Sequence, residues 1–237
     1  MAPSNKTSPK QKAASPKREM SVDEIVENIS NAILEHRLVP GTKLGEDRLA
    51  AIYGTNRPRI REVLARLSHE QVVELVPQRG AFVAKPTVEQ AREVFEARRL
   101  IEPGVLERLS QNFDEEKLRR LQEHLGKEEE ARRTNDKHAV VRLSGEFHTL
   151  LAELAGNSLL ARSMKELSTL TCLTISLYDA PTANSCRVDE HSAIVDAIRA
   201  GDLALARKLM LRHLQHIEDS LDLNSESEEV DLESVLG

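Results

Sequence analysis

The stretch YGTNRPRIREVLARL, residues 53–67, places four arginines within ten positions. Its aliphatic residues recur at the spacing of one helical face, so we predict an amphipathic helix that packs inward on that side. Arg57 and Arg61 are four positions apart and therefore share a different, outward face. Because the formal net charge of the chain is -6, this concentration of arginine predicts a negatively charged partner. The inward residues are Ile60, Val63, Leu64 and Leu67.

Two short helices are predicted before this segment. Ser21 and Glu24 have the spacing of a capping box, in which the two side chains satisfy backbone amides at the start of a helix. The apolar stripe that follows extends this helix to about Arg37. The run EDRLAAIYG then predicts a second helix, which ends at Gly54.

The arginine-rich helix and the segment after it complete a winged helix-turn-helix. The helix is predicted to begin after Asn56, which suits an N-cap, and to end near His69. The runs VVELV and AFVAK are rich in β-branched and aromatic residues, and PQRG at positions 77–80 joins them as a hairpin. Three helices and a two-stranded wing predict a winged helix-turn-helix domain over residues 20–86.

DNA is the partner that this arrangement favours. Guanidinium groups near the start of an exposed helix suit both phosphates and guanine edges in a major groove. An arginine-rich helix taken alone is more often a solvated surface. The preceding short helix and the hairpin, with Arg79 and Gly80 at its tip, make the DNA-binding interpretation the better one.

The rest of the chain is predicted to be an all-α six-helix bundle, so that the fold is mainly α. From Thr87 to about Leu221 no strand pattern occurs, and each helical stretch carries an apolar stripe. We assign this bundle, residues 87–222, to effector binding and dimerisation. The six stretches cover roughly 88–111, 114–134, 136–155, 157–179, 187–200 and 202–221.

The two ends of the chain lack hydrophobic periodicity. Residues 1–19 are rich in Lys, Pro and Ser and predict a disordered basic tail, which would add attraction to phosphates. Residues 223–237 predict an acidic disordered tail. Cys172 and Cys186 make no disulfide framework. Without a long apolar run or a secretory signal, we expect a soluble cytoplasmic protein.

Three histidines lie on apolar stripes of three different predicted helices. His148, His191 and His213 therefore point inward, and they are candidates for a site that binds zinc, nickel or a similar divalent ion. A single inward histidine is usually a hydrogen-bonded core residue. Three such residues also raise the alternative of a metal-dependent hydrolase, although no acid or tyrosine is visibly placed as its general base.

The sequence resembles the GntR family of bacterial transcription regulators. The first half carries the resemblance in PGTKLGEDRLAAIYGTNRPRIREVLARLSHEQVVELVPQRGAFV, residues 40–83. The second half resembles the FCD, or FadR C-terminal, domain through EVFEARRLIEP, EFHTLLAELAGN and EHSAIVDAIRAGDLALARKLMLRHL. Six helices rather than seven indicate the VanR-like branch of that subfamily.

The resemblance implies which residues contact DNA. Arg57 and Arg61 would make the main contacts, with Arg59 and Asn56 near them. Gly80 and its neighbour Arg79 would approach the minor groove or the backbone from the wing. The family more often has serine and threonine on either side of the first arginine, where this chain has Asn56 and Pro58. The implied partner is double-stranded operator DNA in the bacterial nucleoid.

The resemblance also implies a metal and an effector. FCD domains of this kind bind a divalent metal through three histidines and an acid, but Ser144 stands at the position of the acid here. Glu146 is two residues from His148 and faces away. Arg98 and Ser144 are then the candidate effector-binding residues, with Arg98 clamping the carboxylate of a small organic acid. The alternative is that Arg98 forms a structural salt bridge with Glu102 or another acid.

Together these inferences predict a regulator rather than an enzyme. We expect a homodimer that binds an inverted repeat, most simply as a repressor that its effector releases, with activation left open. An architectural DNA-binding dimer without a ligand is the remaining alternative.

Overall fold

The computed structural model describes residues 20–178 and 190–223, and this part of the chain contains nine α-helices and three β-strands. The N-terminal half consists of three helices and a small sheet. These elements are α1 (Val22–Leu34), β1 (Lys43–Leu44), α2 (Glu46–Tyr53), α3 (Arg57–His69), β2 (Val73–Val76) and β3 (Gly80–Val83).

The helix boundaries follow the predicted capping residues. Ser21 accepts a hydrogen bond from the Glu24 amide, and the Glu24 carboxylate accepts one from the Ser21 amide, so the capping box of α1 is confirmed. Gly54 ends α2 with a φ of 62°, a left-handed conformation that glycine adopts without strain. α1 ends at Leu34, before the predicted Arg37, because His36 has a φ of 54° and turns the chain.

The sheet has three strands in the order β1-β3-β2, all antiparallel. The prediction of a two-stranded wing was therefore incomplete. Lys43 pairs with Phe82, and Leu44 is buried, but two residues are too short to produce a readable periodicity. The turn between β2 and β3 ends at Gly80, whose φ of 101° again favours glycine.

The C-terminal half contains the six predicted helices, and their ends lie within a few residues of the predicted ends. The bundle core is formed by apolar side chains from several of these helices, with Phe147 and Leu106 fully buried. Asn157 and Asp202 cap the starts of two helices, as predicted. The six helices are α4 (Val88–Ser110), α5 (Glu115–Arg133), α6 (Lys137–Leu154), α7 (Ser158–Tyr178), α8 (Glu190–Arg199) and α9 (Leu203–Asp219).

Helix α7 joins the two halves. Leu173 is fully buried and belongs to the same apolar cluster as the inward residues of α1 and α3. The adjacent carbonyl of Cys172 lies 3.1 Å from Nε2 of His36. Two ion pairs flank this contact, Arg142 with Glu35 at 2.9 Å and Lys165 with Glu70 at 3.0 Å. The core of the winged half therefore includes a side chain from the helical half.

Some predictions lie outside the described residues. These are the basic tail at 1–19, the acidic tail beyond Leu223, and the state of Cys186. Cys172 is a buried free thiol. None of the helices within 20–178 and 190–223 combines the length and apolarity needed to cross a bilayer.

Candidate DNA interface and buried histidine site

The recognition helix α3 separates an apolar face from a charged one. Ile60, Val63 and Leu67 are fully buried, as their spacing predicted. Arg57 and Arg61 retain 53% and 59% of their side-chain exposure. The helix begins at an N-cap in which the Asn56 side chain accepts a hydrogen bond from the Arg59 amide at 3.0 Å. The two outward arginines are therefore held at the start of a helix with a buried back.

One carboxylate, Glu46, contacts both of these arginines. Nε and Nη2 of Arg57 donate to Oε2 of Glu46 at 3.2 and 3.1 Å. Nε of Arg61 lies 3.0 and 2.9 Å from the two oxygens of the same carboxylate. The hydrogen bond from Arg61 is the largest cause that lowers the pKa of Glu46. Asp47 adds a second acid, with Oδ1 3.3 Å from Nε of Arg57.

The remaining arginine of the helix start points elsewhere. Nη2 of Arg59 donates to the carbonyl of Met20 at 2.9 Å, on the segment before α1. Arg59 therefore does not share the surface of Arg57 and Arg61, although its role in DNA binding remains a prediction. The Asn56 side chain is likewise engaged as an N-cap.

The wing carries two basic side chains around one aromatic ring. Arg79 and Lys43 place their charged groups 5.6 and 5.9 Å from the centroid of Phe82, within the range of cation–π attraction. Both line an open groove that continues to Arg57 and Arg61. Lys43 was not predicted as a candidate because it lies on β1, the strand that the sequence pattern did not indicate.

The three predicted histidines meet in the middle of the helical half. His148 on α6, His191 on α8 and His213 on α9 are all buried, and one ring nitrogen of each lies within 4.8 Å of the others. Nε2 of His213 is 3.2 Å from Nε2 of both His148 and His191. The fully buried ring of Phe147 stacks on His191 with centroids 4.0 Å apart. The predicted convergence of the three imidazoles is therefore correct.

Each imidazole is oriented by its own glutamate on its far side. Each glutamate lies on a different helix from its histidine: Glu102 on α4, Glu128 on α5 and Glu190 at the start of α8. Carboxylates only accept hydrogen bonds, so each Nδ1 carries the hydrogen, and a neutral ring then presents an unprotonated Nε2 to the centre. The pairs are His148 with Glu102 at 2.7 Å, His191 with Glu128 at 2.9 Å and His213 with Glu190 at 2.8 Å.

Burial lowers the pKa of His148 and of His213, whereas contacts with neighbouring donors and cations lower the pKa of Glu102 and of Glu190. Desolvation lowers the pKa of His148 to about 3 and that of His213 to about 4, although their glutamates oppose the shift. Burial alone would raise the pKa of Glu102, but Arg98 and His148 outweigh it and lower the pKa to about 2. The pKa of Glu190 is lowered to about 2 against burial by His213 and His216.

The geometry fits a divalent metal ion. Nitrogens of a tetrahedral site with metal–nitrogen bonds of about 2.0–2.1 Å lie about 3.3 Å apart, close to the two measured separations of 3.2 Å. Carboxylates on the outer ring nitrogens are the usual partners of metal-binding histidines. His148, His191 and His213 would hold the ion, and further coordination positions would remain for water or a ligand.

Ser144 stands at the position of the family's acid, and Glu146 faces away from the histidines, as predicted. Ser144 is buried one turn before His148 on α6. Glu146 turns away, and its carboxylate accepts a hydrogen bond from Arg142 at 2.6 Å. A serine hydroxyl contributes no charge to a metal site, so the three imidazoles are the protein's principal ligand set.

Arg98 is almost completely buried beside this site, and it forms the salt bridge that was the alternative prediction. Nε donates to Glu102 at 2.7 Å and Nη1 donates to the hydroxyl of Thr171 at 3.0 Å. Among the residues that the structure describes, nothing accepts a hydrogen bond from its Nη2, although this atom is buried. The salt bridge therefore leaves one guanidinium nitrogen without a partner.

Sequence reasoning missed Glu46, Glu128 and Glu190, and it named Glu102 as a partner of Arg98 but not of His148. Glu46 lies 11 and 15 positions from its two arginines, and Glu102 lies 46 positions from His148. No periodicity links such distant residues. Glu190 directly precedes His191 in the sequence, but its carboxylate contacts His213, so adjacency does not reveal the pair.

Comparison with known sequences identifies both halves of the chain. The family described as bacterial regulatory proteins, gntR family, matches residues 21–83, and the FCD domain matches residues 93–216. The HTH-type transcriptional regulator LutR of Bacillus subtilis (strain 168) is 29% identical over 206 residues, covering 78% of this chain and 93% of that protein. The HTH-type transcriptional repressor RspR of Escherichia coli (strain K12) is 25% identical over 185 residues, covering 78% and 81%.

Solved structures agree on the fold. A GntR protein from Rhodococcus sp. RHA1 matches with a TM-score of 0.73 and 24% identity, covering 84% of this chain and 95% of that one. McbR/YncC of E. coli gives the same TM-score and coverage at 19% identity. The matched family and the curated relatives are regulators, which removes the hydrolase alternative. The chain belongs to the GntR family of DNA-binding transcription regulators and carries an FCD domain as its helical half.

Proposed function

We propose that this protein is a homodimeric repressor in the bacterial cytoplasm, bound to the nucleoid. A small organic acid controls its affinity for an inverted-repeat operator. The observation that carries the proposal is the position of α7. Thr171 of this helix contacts the buried arginine of the candidate effector site, and Leu173, two positions later, lies in the core of the winged half. The boundaries we assign are 20–86 for DNA binding and 87–222 for effector binding and dimerisation.

The DNA-contacting surface would be the charged face of α3 together with the wing. Arg57 and Arg61 enter the major groove, where their terminal nitrogens suit guanine edges and phosphates. Arg79 and Gly80 approach the backbone or the minor groove from the wing. Asn56 fixes the start of the helix, and Arg59 supports it through Met20. In a dimer, two such helices would reach successive major grooves of one operator.

The effector would bind beside Arg98 as an anion. A buried guanidinium nitrogen without an acceptor is unfavourable, because the group has lost its water without gaining a hydrogen bond. A carboxylate oxygen at Nη2 would remove that penalty. The salt bridge to Glu102 and the bond to Thr171 hold the guanidinium in place for this contact. Ser144 would add a neutral hydroxyl from α6.

A divalent metal, zinc or nickel by ligand type, would take part in the same site. When bound to His148, His191 and His213, it would supply a second positive charge for the carboxylate of the effector. The three glutamates hold the imidazoles in the tautomer that ligation requires.

The signal would pass through α7 to the winged half. Thr171 contacts Arg98, and two positions later Leu173 is embedded in the apolar core behind the recognition helix. Helices α6 and α7 are tightly packed, since a Cβ at Gly145 would lie 2.9 Å from Sγ of Cys172. A shift of α7 on effector binding would therefore move a residue of the winged core. By linkage, operator DNA would change effector affinity by the same factor.

The test begins with the DNA. A duplex is selected from a randomised library with the full-length protein, and binding is measured by fluorescence anisotropy as the salt concentration is varied. We expect one selected inverted repeat, bound with an affinity that falls as salt rises. The absence of any enriched, salt-sensitive duplex would contradict the DNA-binding part of the proposal.

The effector is then tested on the same complex. Small carboxylic acids are screened by thermal shift in the presence of zinc, and each acid that stabilises the protein is titrated into the DNA complex. We expect at least one acid to release the DNA. Unchanged DNA affinity with every stabilising acid would favour the architectural alternative, in which the helical half only dimerises.

A further inference from the structure

The contacts of Glu46 with two recognition arginines carry an inference that rests on the DNA-binding role proposed above. We infer that Glu46 is a specificity-determining residue, which orients Arg57 and Arg61 for base contacts and opposes binding to phosphates alone. It acts through the arginines and is therefore a positioning residue.

The first argument is geometric. A single carboxylate spans both guanidinium groups and engages Nε of each. Its contacts use the side edges of the two groups, so both Nη atoms of Arg61 remain for DNA, as do Nη1 and the second hydrogen of Nη2 of Arg57. An arginine reads guanine through two nitrogens that donate in parallel to O6 and N7. A guanidinium that is already fixed loses less conformational freedom when it makes this contact.

The second argument is electrostatic. Arg57 and Arg61 bring two positive charges, and Glu46 and Asp47 bring two negative charges, so the patch is balanced. Non-specific binding depends almost entirely on attraction between cationic side chains and phosphates. A balanced patch weakens this attraction while it leaves donors available for base edges. The affinity for random DNA is therefore held down more than the affinity for the operator.

The position of Glu46 explains why one residue can hold both arginines. Glu46 is the first residue of α2, and the chain turns at Gly54 into α3, so that the Glu46 carboxylate reaches the guanidinium groups of Arg57 and Arg61. Arg57 and Arg61 lie one turn apart on α3 and present both guanidinium groups to the same point. Their exposure leaves this ion-paired cluster within reach of a duplex.

The experiment compares the selected duplex with a scrambled duplex of the same composition, using full-length protein. For Glu46→Gln we expect several-fold tighter binding to the scrambled duplex, and a specific-to-random affinity ratio at least about tenfold lower, because guanidinium groups freed from the carboxylate reach phosphates. The slope of log affinity against log salt on the scrambled duplex should steepen by about 0.9 for each additional phosphate contact.

Two further variants separate orientation from charge. Glu46→Asp keeps the charge but shortens the side chain by one methylene, so the ratio should fall without a gain in affinity for scrambled DNA. Glu62→Gln removes one negative charge from α3 itself. Glu62 forms no ion pair with Arg57 or Arg61 in the described structure, so the specific-to-random affinity ratio of this variant should stay near that of the parent. Melting curves for every variant confirm that each is folded.

Repeating the selection with Glu46→Gln locates the effect. We expect relaxed preference at the base pairs that Arg57→Ala and Arg61→Ala also relax. Relaxation at other base pairs would mean that Glu46 reads a base directly, and an unchanged ratio would mean that it only blocks DNA; either result overturns the inference. Failure of the parent protein to select a duplex would count against the proposed function instead.

Discussion

The protein contains two arginine–glutamate clusters with similar chemistry in opposite environments. On the surface, Glu46 joins Arg57 and Arg61, whose side chains are more than half exposed. In the interior, Glu102 joins Arg98 and His148, whose side chains are 1% exposed. Both carboxylates have a lowered pKa, but for Glu102 the neighbouring charges must first overcome the effect of burial.

The difference teaches what each cluster is able to do. Water screens an exposed ion pair and replaces its partners easily, so such a pair contributes little to stability and can be exchanged for DNA. A buried ion pair cannot exchange with water, and removal of one partner leaves a charge without compensation. The surface cluster is therefore suited to reversible recognition, and the interior cluster is suited to holding a fixed geometry.

The largest expected effect comes from breaking the interior cluster. Glu102→Ala should lower the free energy of unfolding by about 3–5 kcal/mol, because Arg98 would remain charged and buried. Urea denaturation of the metal-free protein measures this change. Glu107→Ala removes an exposed glutamate from the same helix, which pairs with Arg207, and should change stability by less than about 1 kcal/mol. Similar losses for both variants would mean that burial does not distinguish the clusters.

The next effect concerns the metal. Glu128→Gln should weaken zinc affinity about 10- to 100-fold, because His191 would lose the carboxylate that orients it. Competition with a chromogenic chelator measures the affinity. Glu130→Gln serves as the control, since this exposed residue of the same helix pairs with Arg133. A zinc content well below one ion per parent chain would argue against the site as a whole.

The surface cluster should affect DNA binding more than stability. Arg57→Ala and Arg61→Ala should each weaken binding to the selected duplex by about tenfold to a hundredfold, because each removes contacts in the major groove. Arg66→Ala is the matched control on the same helix, since Arg66 pairs with Asp23 of α1 at 2.6 Å. Anisotropy titrations in which all three variants bind equally would remove the assignment of the DNA-reading face.

The smallest expected effect is that of Glu46→Gln on folding. Because its ion pairs are exposed, the variant should shift the melting temperature by less than about 3 °C. Differential scanning calorimetry measures this shift. A shift as large as that caused by Glu102→Ala would show that the surface cluster is structural.

Much of the fold could be predicted because local signals agree with packing. The capping box at Ser21 and Glu24, the end of α2 at Gly54 and the apolar stripe of α3 all appear as predicted. The strand β1 was missed because two residues give no periodicity. The junction at α7 was missed because it is a contact between distant segments.

For the candidate site too, local spacing was predictable and contacts between distant residues were not. Inward orientation of the three histidines follows from helical spacing, and the structure brings them together. The glutamates that orient them come from other turns of the chain, and neither spacing nor composition identifies them. The arginines of α3 were visible in sequence, whereas their shared carboxylate was visible only after folding.

The insertion of Leu173 bears on how such regulators exchange parts during evolution and in engineering. Leu173 fills part of the apolar core of the winged half. An isolated fragment of residues 20–86 would therefore have a cavity at the position of this side chain. A chimaera that fuses this winged half to the effector domain of another protein would need an equivalent apolar residue where the two halves meet. The winged half is therefore transferable only together with a side chain that replaces Leu173.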